Sequence, residues 1–229
     1  GRGLRPYRLR TRRGSPGVLL GERGLPAPPR GAVRDHGGVT RIVAGVAGGR
    51  RLLVPPKGTR PTSERVREAL FSALEAQFDL DGARVLDLYA GSGALGFEAL
   101  SRGAGHATFV ESNQRAAGLL RRNAAELGLP GVQVLTRTVR GVLSEPAAQP
   151  YDVVLADPPY AVADAELDEM LTLAVANGWL APDAVVVVER DVRSADPHWP
   201  AELEPLRRKR YGDTALHWAA VRPFAVHPG

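Results

Sequence analysis

From Arg84 to Glu189 the chain alternates between short β-branched runs and longer amphipathic stretches. Candidate strands at 84–89, 106–111, 132–136, 152–157 and 184–189 are separated by candidate helices at 94–102, 113–127, 138–145 and 164–177. Consecutive βα units build a mostly parallel sheet with helices on both faces, which makes this an α/β chain. Near the end, Pro205–Tyr211 and Thr214–Val221 flank Gly212-Asp213 and read as an antiparallel hairpin. At the front, Thr40-Arg-Ile-Val-Ala-Gly and Gly48–Val54 are two short β-like runs separated by glycines, again a hairpin. Thr62 is the expected N-cap of a helix over 63–78, with Val66, Leu70, Ala73 and Leu74 on its core face.

The first strand leads into a glycine turn, Val85-Leu-Asp-Leu-Tyr-Ala-Gly91-Ser-Gly93-Ala-Leu-Gly96, which opens a helix. Glycines there permit a tight turn and close approach of backbone to a ligand. Glu111, 20 residues after Gly91 and at the next strand end, can accept hydrogen bonds from both hydroxyls of a ribose. The candidate cofactor contacts are therefore Asp87, Tyr89, Ala90, Gly91, Ser92, Gly93, Leu95, Glu111, Ser112 and Thr138. A dinucleotide would set its anionic pyrophosphate near Asp87, whereas S-adenosylmethionine brings a cationic amine and sulfonium. Charge favours the methyl donor.

A second motif, Asp157-Pro158-Pro159-Tyr160, follows the fourth strand at the same carboxyl edge of the sheet. Asp157 and the Pro158 carbonyl can accept the two hydrogens of an exocyclic amine, and Tyr160 can stack on the base that carries it. Pro159 stiffens the turn. The catalytic candidates are these four residues. The chain has no cysteine, so a cysteine adduct at a pyrimidine C5 and cluster-based radical methylation are both excluded. An exocyclic amine remains as target.

Charge is divided along the chain. Residues 1–60 carry 14 basic and 2 acidic side chains, and residues 61–229 carry 16 basic and 23 acidic ones. Gly, Pro and Arg dominate residues 1–38, which read as a basic disordered extension. Position 1 is not Met, and an ordered start near Val39 is expected. Arg41, Arg50, Arg51, Lys57, Arg60, Arg65 and Arg67 form a cluster suited to RNA phosphates. The five histidines are scattered, so no metal site is expected. No apolar run reaches the ~18 residues of a membrane span.

The chain resembles the RsmD family of 16S ribosomal RNA guanine-N2 methyltransferases. The likeness rests on Thr40-Arg-Ile-Val-Ala-Gly, Gly49-Arg-Arg-Leu, Arg60-Pro-Thr, Arg65-Val-Arg-Glu-Ala-Leu-Phe71, Asp87–Gly96, Glu98-Ala-Leu-Ser-Arg-Gly103 and Asp157-Pro-Pro-Tyr160. It implies a class I, Rossmann-like methyltransferase fold: a seven-stranded, mostly parallel sheet with a C-terminal antiparallel hairpin, after a small N-terminal β-hairpin. The expected organisation is an extension over 1–38, an RNA-contacting hairpin segment over 39–62, the methyltransferase domain over 63–223 and a tail over 224–229. The resemblance also implies S-adenosylmethionine as donor and a guanine at family position 966 of 16S RNA as target. It further implies a 30S or assembly-intermediate substrate and a cytoplasmic location; a monomer is the simplest reading. Asp157 and Tyr160 match the family's catalytic motif and Glu111 its ribose-binding acid, while Thr138 stands where relatives often carry Asp or Asn against adenine. Three other readings stay open at this point: adenine-N6 methylation of DNA, a noncatalytic RNA-binding assembly factor, and a nicotinamide dehydrogenase, the last disfavoured by Asp87.

Overall fold

A computed structural model describes residues 38–55 and 63–223. The expectations for residues 1–37 and 224–229, and for Lys57, Arg60 and Thr62, lie outside the described residues. The apolar runs form β3 (Arg84–Leu88), β4 (His106–Val110), β5 (Val132–Leu135), β6 (Tyr151–Ala156) and β7 (Leu180–Asp191). Between them lie α2 (Ala94–Ser101), α3 (Gln114–Leu127), α4 (Val139–Leu143) and α5 (Asp164–Ala176). The C-terminal hairpin is β8 (Leu203–Tyr211) and β9 (Thr214–Val221). A separate antiparallel pair, β1 (Val39–Arg41) and β2 (Arg51–Leu53), precedes α1 (Glu64–Glu75).

The seven-stranded sheet has the order β5-β4-β3-β6-β7-β9-β8. Strands β3 to β7 are parallel, and β9 is antiparallel to both neighbours. The chain moves outward from β3 to β5, then returns to β6 on the other side of β3. The β3/β6 boundary is therefore the topological switch point, where open α/β sheets bind ligands beyond their carboxyl ends.

Successive side chains in the central strands enter opposite cores. Val85, Val153 and Leu155 join one cluster with α1, α2, α3 and the front hairpin. Leu86, Leu88, Val154 and Ala156 join the other with α4 and α5. Ile42, Ala47 and Leu52 are buried in the first cluster, so the front hairpin shares the core of the sheet rather than standing apart.

Two boundaries differ from the sequence reading. Ser63 caps α1: its hydroxyl accepts the Val66 amide at 3.2 Å, and the helix ends at Glu75 rather than at 78. Strand β7 begins at Leu180, well before the apolar Val185–Val188 run, because it pairs with Tyr151 and then shifts register before Val153. The exposed pair Pro182-Asp183 sits in that irregularity, with Asp183 at φ +62°, and breaks the alternation that marks a strand.

Candidate active site

The parallel register lines up the strand exits. Leu88 pairs with Val110 on one side and Ala156 on the other, and Ala156 pairs with Val188. The next residues are Glu111, Tyr89, Asp157 and Glu189, side by side along one edge. The Asp157 amide donates to the Leu88 carbonyl at 3.5 Å, which extends this alignment one residue past the strands.

Beyond β3 the chain reverses through Tyr89 at φ +58°, an unusual conformation for an aromatic residue, and then Gly91 and Gly93 at φ +54° and +84°. The glycines differ in purpose. A side chain at Gly93 or Gly96 would collide with Phe97 or Phe109, so these two permit α2 to pack on the sheet. A side chain at Gly91 would meet nothing within 4 Å. The space over Gly91 is open, as a ligand cradle requires.

Glu111 closes this cradle. Its carboxylate accepts the Gly91 amide at 2.8 Å on one oxygen and the Asn113 amide at 2.7 Å on the other. Each oxygen keeps lone-pair capacity for a ribose hydroxyl. Ala90 donates to the Val110 carbonyl, which ties the turn to the β4 exit. Ser112 is exposed beside Glu111.

Asp87 is 1% exposed and accepts the Gly96 amide at 2.9 Å. Burial pushes its carboxyl up to about 8, opposed by the Gly96 amide and reinforced by the Glu111 charge. It braces the turn from beneath, which corrects the expectation that its charge faces a ligand: the carboxyl is buried under the turn. Leu95 lies in the first core cluster at 6% exposure, so its side chain serves packing more than a ligand surface. The Tyr89 ring packs against the second cluster, where burial raises its phenol to about 12. Thr138 is exposed, and its hydroxyl accepts the Gly141 amide as the N-cap of α4.

At β6, Pro158 is buried and Asp157 partly so, while Tyr160 is 87% exposed at the mouth of the edge. Arg190 fixes the segment that follows. Its guanidinium donates to the Val162 carbonyl from both terminal nitrogens and pairs with Asp164 at 2.7 Å.

The basic front is sorted by burial. Arg41, Arg51 and Arg65 are exposed. Arg50 donates to the Leu127 carbonyl at 2.8 Å and to the Glu126 carbonyl, closing the C-terminus of α3. Arg67 corrects the sequence reading: it is 0% exposed, pairs with Glu98 at 3.4 Å and donates to the Arg41 carbonyl, so it cannot touch RNA. Helical spacing puts it on the buried face of α1, three, four and seven residues before Leu70, Phe71 and Leu74, and Glu98 on α2 supplies its counter-charge there.

Three features escape the sequence reading. Asn123 bonds both the amide and carbonyl of Leu53 and the Ser92 carbonyl at 3.0 Å, linking β2 to the glycine turn. A polar residue on the Ala116–Leu120–Leu127 face of α3 is the signal that points to it. Arg190 is hidden at the end of an apolar run. Arg207, Arg208, Lys209 and Arg210 form an exposed basic stretch of the edge strand β8, legible from charge alone.

The family described as Conserved hypothetical protein 95 matches residues 40–220. Ribosomal RNA small subunit methyltransferase D of Escherichia coli K12 is 40% identical over 179 residues, covering 78% of this chain and 88% of that relative. The chain belongs to the RsmD family. Among solved structures, a putative methyltransferase of Escherichia coli shares the fold of this RsmD-family chain. It matches with a TM-score of 0.73 and 36% identity over 80% of this chain and 98% of that one. The fold is also that of the magnesium protoporphyrin IX methyltransferase of Synechocystis with bound SAM, at a TM-score of 0.54 and 16% identity over 69% and 79% of the two chains. The expected Rossmann-like methyltransferase architecture of an RsmD-family protein is thus met strand for strand. Among the described residues, no three metal-ligating side chains cluster, and no helix is long and apolar enough to cross a membrane.

Proposed function

We propose that this methyltransferase transfers a methyl group from S-adenosylmethionine to the exocyclic N2 amine of a guanine in 16S ribosomal RNA. The observation that carries the reading is the register of β4, β3 and β6, which sets the glycine turn directly beside Asp157 at the switch point, with Glu111 on the turn's other side. The donor cradle and the amine-holding motif are neighbours. The open space over Gly91 and the oriented Glu111 carboxylate suit a nucleoside without phosphates.

S-adenosylmethionine, when bound, supplies an electrophilic sulfonium methyl. The protein's task is to make a poor nucleophile attack it. A guanine N2 delocalises its lone pair into the ring. Asp157 and the Pro158 carbonyl accept the two N–H bonds, favour a pyramidal nitrogen and free that lone pair for in-line attack. Tyr160 stacks on the base and Pro159 holds the turn rigid. Proximity and fixed acceptors do the work, with no covalent enzyme adduct.

Exposed Arg41, Arg51 and Arg65 at the front, with the β8 run, supply cations for the phosphates of a folded RNA. Only about 60 residues separate the two motifs, and βα units fill them, which favours recognition of RNA shape and splayed bases over reading of duplex sequence. The test is transfer of labelled methyl to 30S subunits that lack the mark, set beside duplex DNA. Label in 16S RNA is expected. Label in DNA adenine instead, or none with competent subunits, overturns the proposal.

A further inference from the structure

A cleft of about 290 Å³ opens at the carboxyl edge between β6 and β7, on the side of Asp157 away from the glycine turn. Tyr160 from the segment after β6 and Arg190, Asp191 and Arg193 from the end of β7 and beyond help to line it. Along the edge the order is therefore donor turn on β3, amine-holding motif on β6, then this cleft. Tyr160 is shared between the motif and the cleft, so a base stacked on its ring with its amine at Asp157 can extend its remaining edge into the cleft.

The two guanidinium groups of the cleft differ in what they are free to do. Arg190 is 8% exposed, and its terminal nitrogens serve Val162 and Asp164. Arg193 has a side chain 80% exposed. Asp191 grips it on one edge: Nε reaches one carboxylate oxygen at 2.9 Å and Nη2 the other at 3.0 Å. That bidentate grip holds the guanidinium plane and raises the already high pKa of Arg193. The opposite edge, formed by Nη1 and the outer hydrogen of Nη2, is not engaged by Asp191, and Arg193 lines the cleft.

A guanidinium fork is the standard complement of the guanine O6/N7 pair. When N2 is held at Asp157, O6 and N7 lie away from it across the purine. We propose that Arg193, oriented by Asp191, reads the O6/N7 edge of the target guanine and is a specificity-determining residue of the transfer. This rests on the guanine-N2 reading above. An adenine placed with its N6 amine at Asp157 keeps N7 on that same side and has no O6, so the fork loses its bidentate partner. Selection between purines thus resides just past β7, while Asp157 just past β6 selects only for an amine.

The test uses 30S subunits reconstituted with guanine or 2,6-diaminopurine at the target position. Both bases carry the N2 amine and N7, but diaminopurine replaces O6 by a donor. The full chain is expected to prefer guanine by about 10- to 100-fold in kcat/KM, the range of one bidentate contact. Arg193→Ala should lower the guanine value toward the diaminopurine value, collapse the ratio and leave S-adenosylmethionine affinity unchanged. Arg193→Lys keeps the charge without the fork and should also lose the preference. Equal losses on both bases mark a phosphate contact and overturn the assignment, as does an unchanged ratio. No transfer to guanine by the unmodified chain overturns the parent reading instead.

Discussion

The Glu111 carboxylate accepts the Gly91 amide at 2.8 Å, so the acid at the end of β4 holds the turn at the end of β3. One side chain thus shapes the cradle, and in the proposed function its remaining lone pairs serve a ribose. Glu111→Gln keeps an acceptor for only one of the Gly91 and Asn113 amides and turns an NH2 toward the other. S-adenosylmethionine affinity should fall about 10- to 100-fold, the range for hydrogen bonds to a charged group. Isothermal titration checks this, and an unchanged affinity would remove Glu111 from the cofactor site.

Asp87 makes the fold sensitive to pH. Its carboxyl titrates near 8 when folded, against an ordinary value of 3.8. The folded state therefore binds more protons between those values, and stability falls as pH rises through that window. Asp87→Asn retains an oxygen for the Gly96 amide and cannot ionise. Urea unfolding at pH 5 and pH 8 should show the unsubstituted protein losing stability relative to Asp87→Asn at the higher pH. Parallel behaviour of the two proteins would contradict this assignment.

The buried Glu98 joins the front hairpin to α2. It accepts the Val43 and Ala44 amides at 2.8 and 3.0 Å and pairs with Arg67 and Arg102. Glu98→Ala leaves the Arg67 guanidinium buried without its counter-charge and should cost about 3–5 kcal/mol in denaturant unfolding. Arg67→Met leaves Glu98 with Arg102 and both amides, so its cost should be smaller. A larger cost for Arg67→Met would refute the view of Glu98 as the hub.

Most of this arrangement is legible in the sequence because it is periodic or local. Val85–Leu88, apart from Asp87, and Val153–Ala156 are apolar on both faces, as strands buried in a parallel sheet are, and the glycine spacing marks the turn between strand and helix. The positions that escape are those whose role comes from distant partners. Arg67 reads as one more cation beside Arg65 until Glu98, on another helix, is placed against it. Arg190 continues a β pattern, and only the fold brings Val162 and Asp164 under its guanidinium. Thr138 matches an adenine contact by its position after β5, while the local geometry gives its hydroxyl a helix to cap. Charge counting identifies the basic front but does not separate exposed Arg51 from Arg50, whose donors close α3.

That separation gives a prediction for binding. Arg51→Ala and Arg65→Ala should each flatten the dependence of log affinity on log salt, by about 0.7 for each single-strand phosphate that the arginine no longer neutralises. S-adenosylmethionine affinity should stay the same. Filter binding to subunits between low and physiological salt reads the slope. A slope unchanged in both variants would place the RNA on another face.

The proposed reaction depends above all on the Asp157–Tyr160 motif holding a guanine N2 beside the methyl donor. Mass spectrometry of nucleosides from 16S RNA, after incubation of unmarked subunits with the protein and S-adenosylmethionine, tests it most directly. N2-methylguanosine is the expected product, with none from Asp157→Ala although that variant still binds the donor. A different methylated nucleoside, or undiminished product from Asp157→Ala, would contradict it.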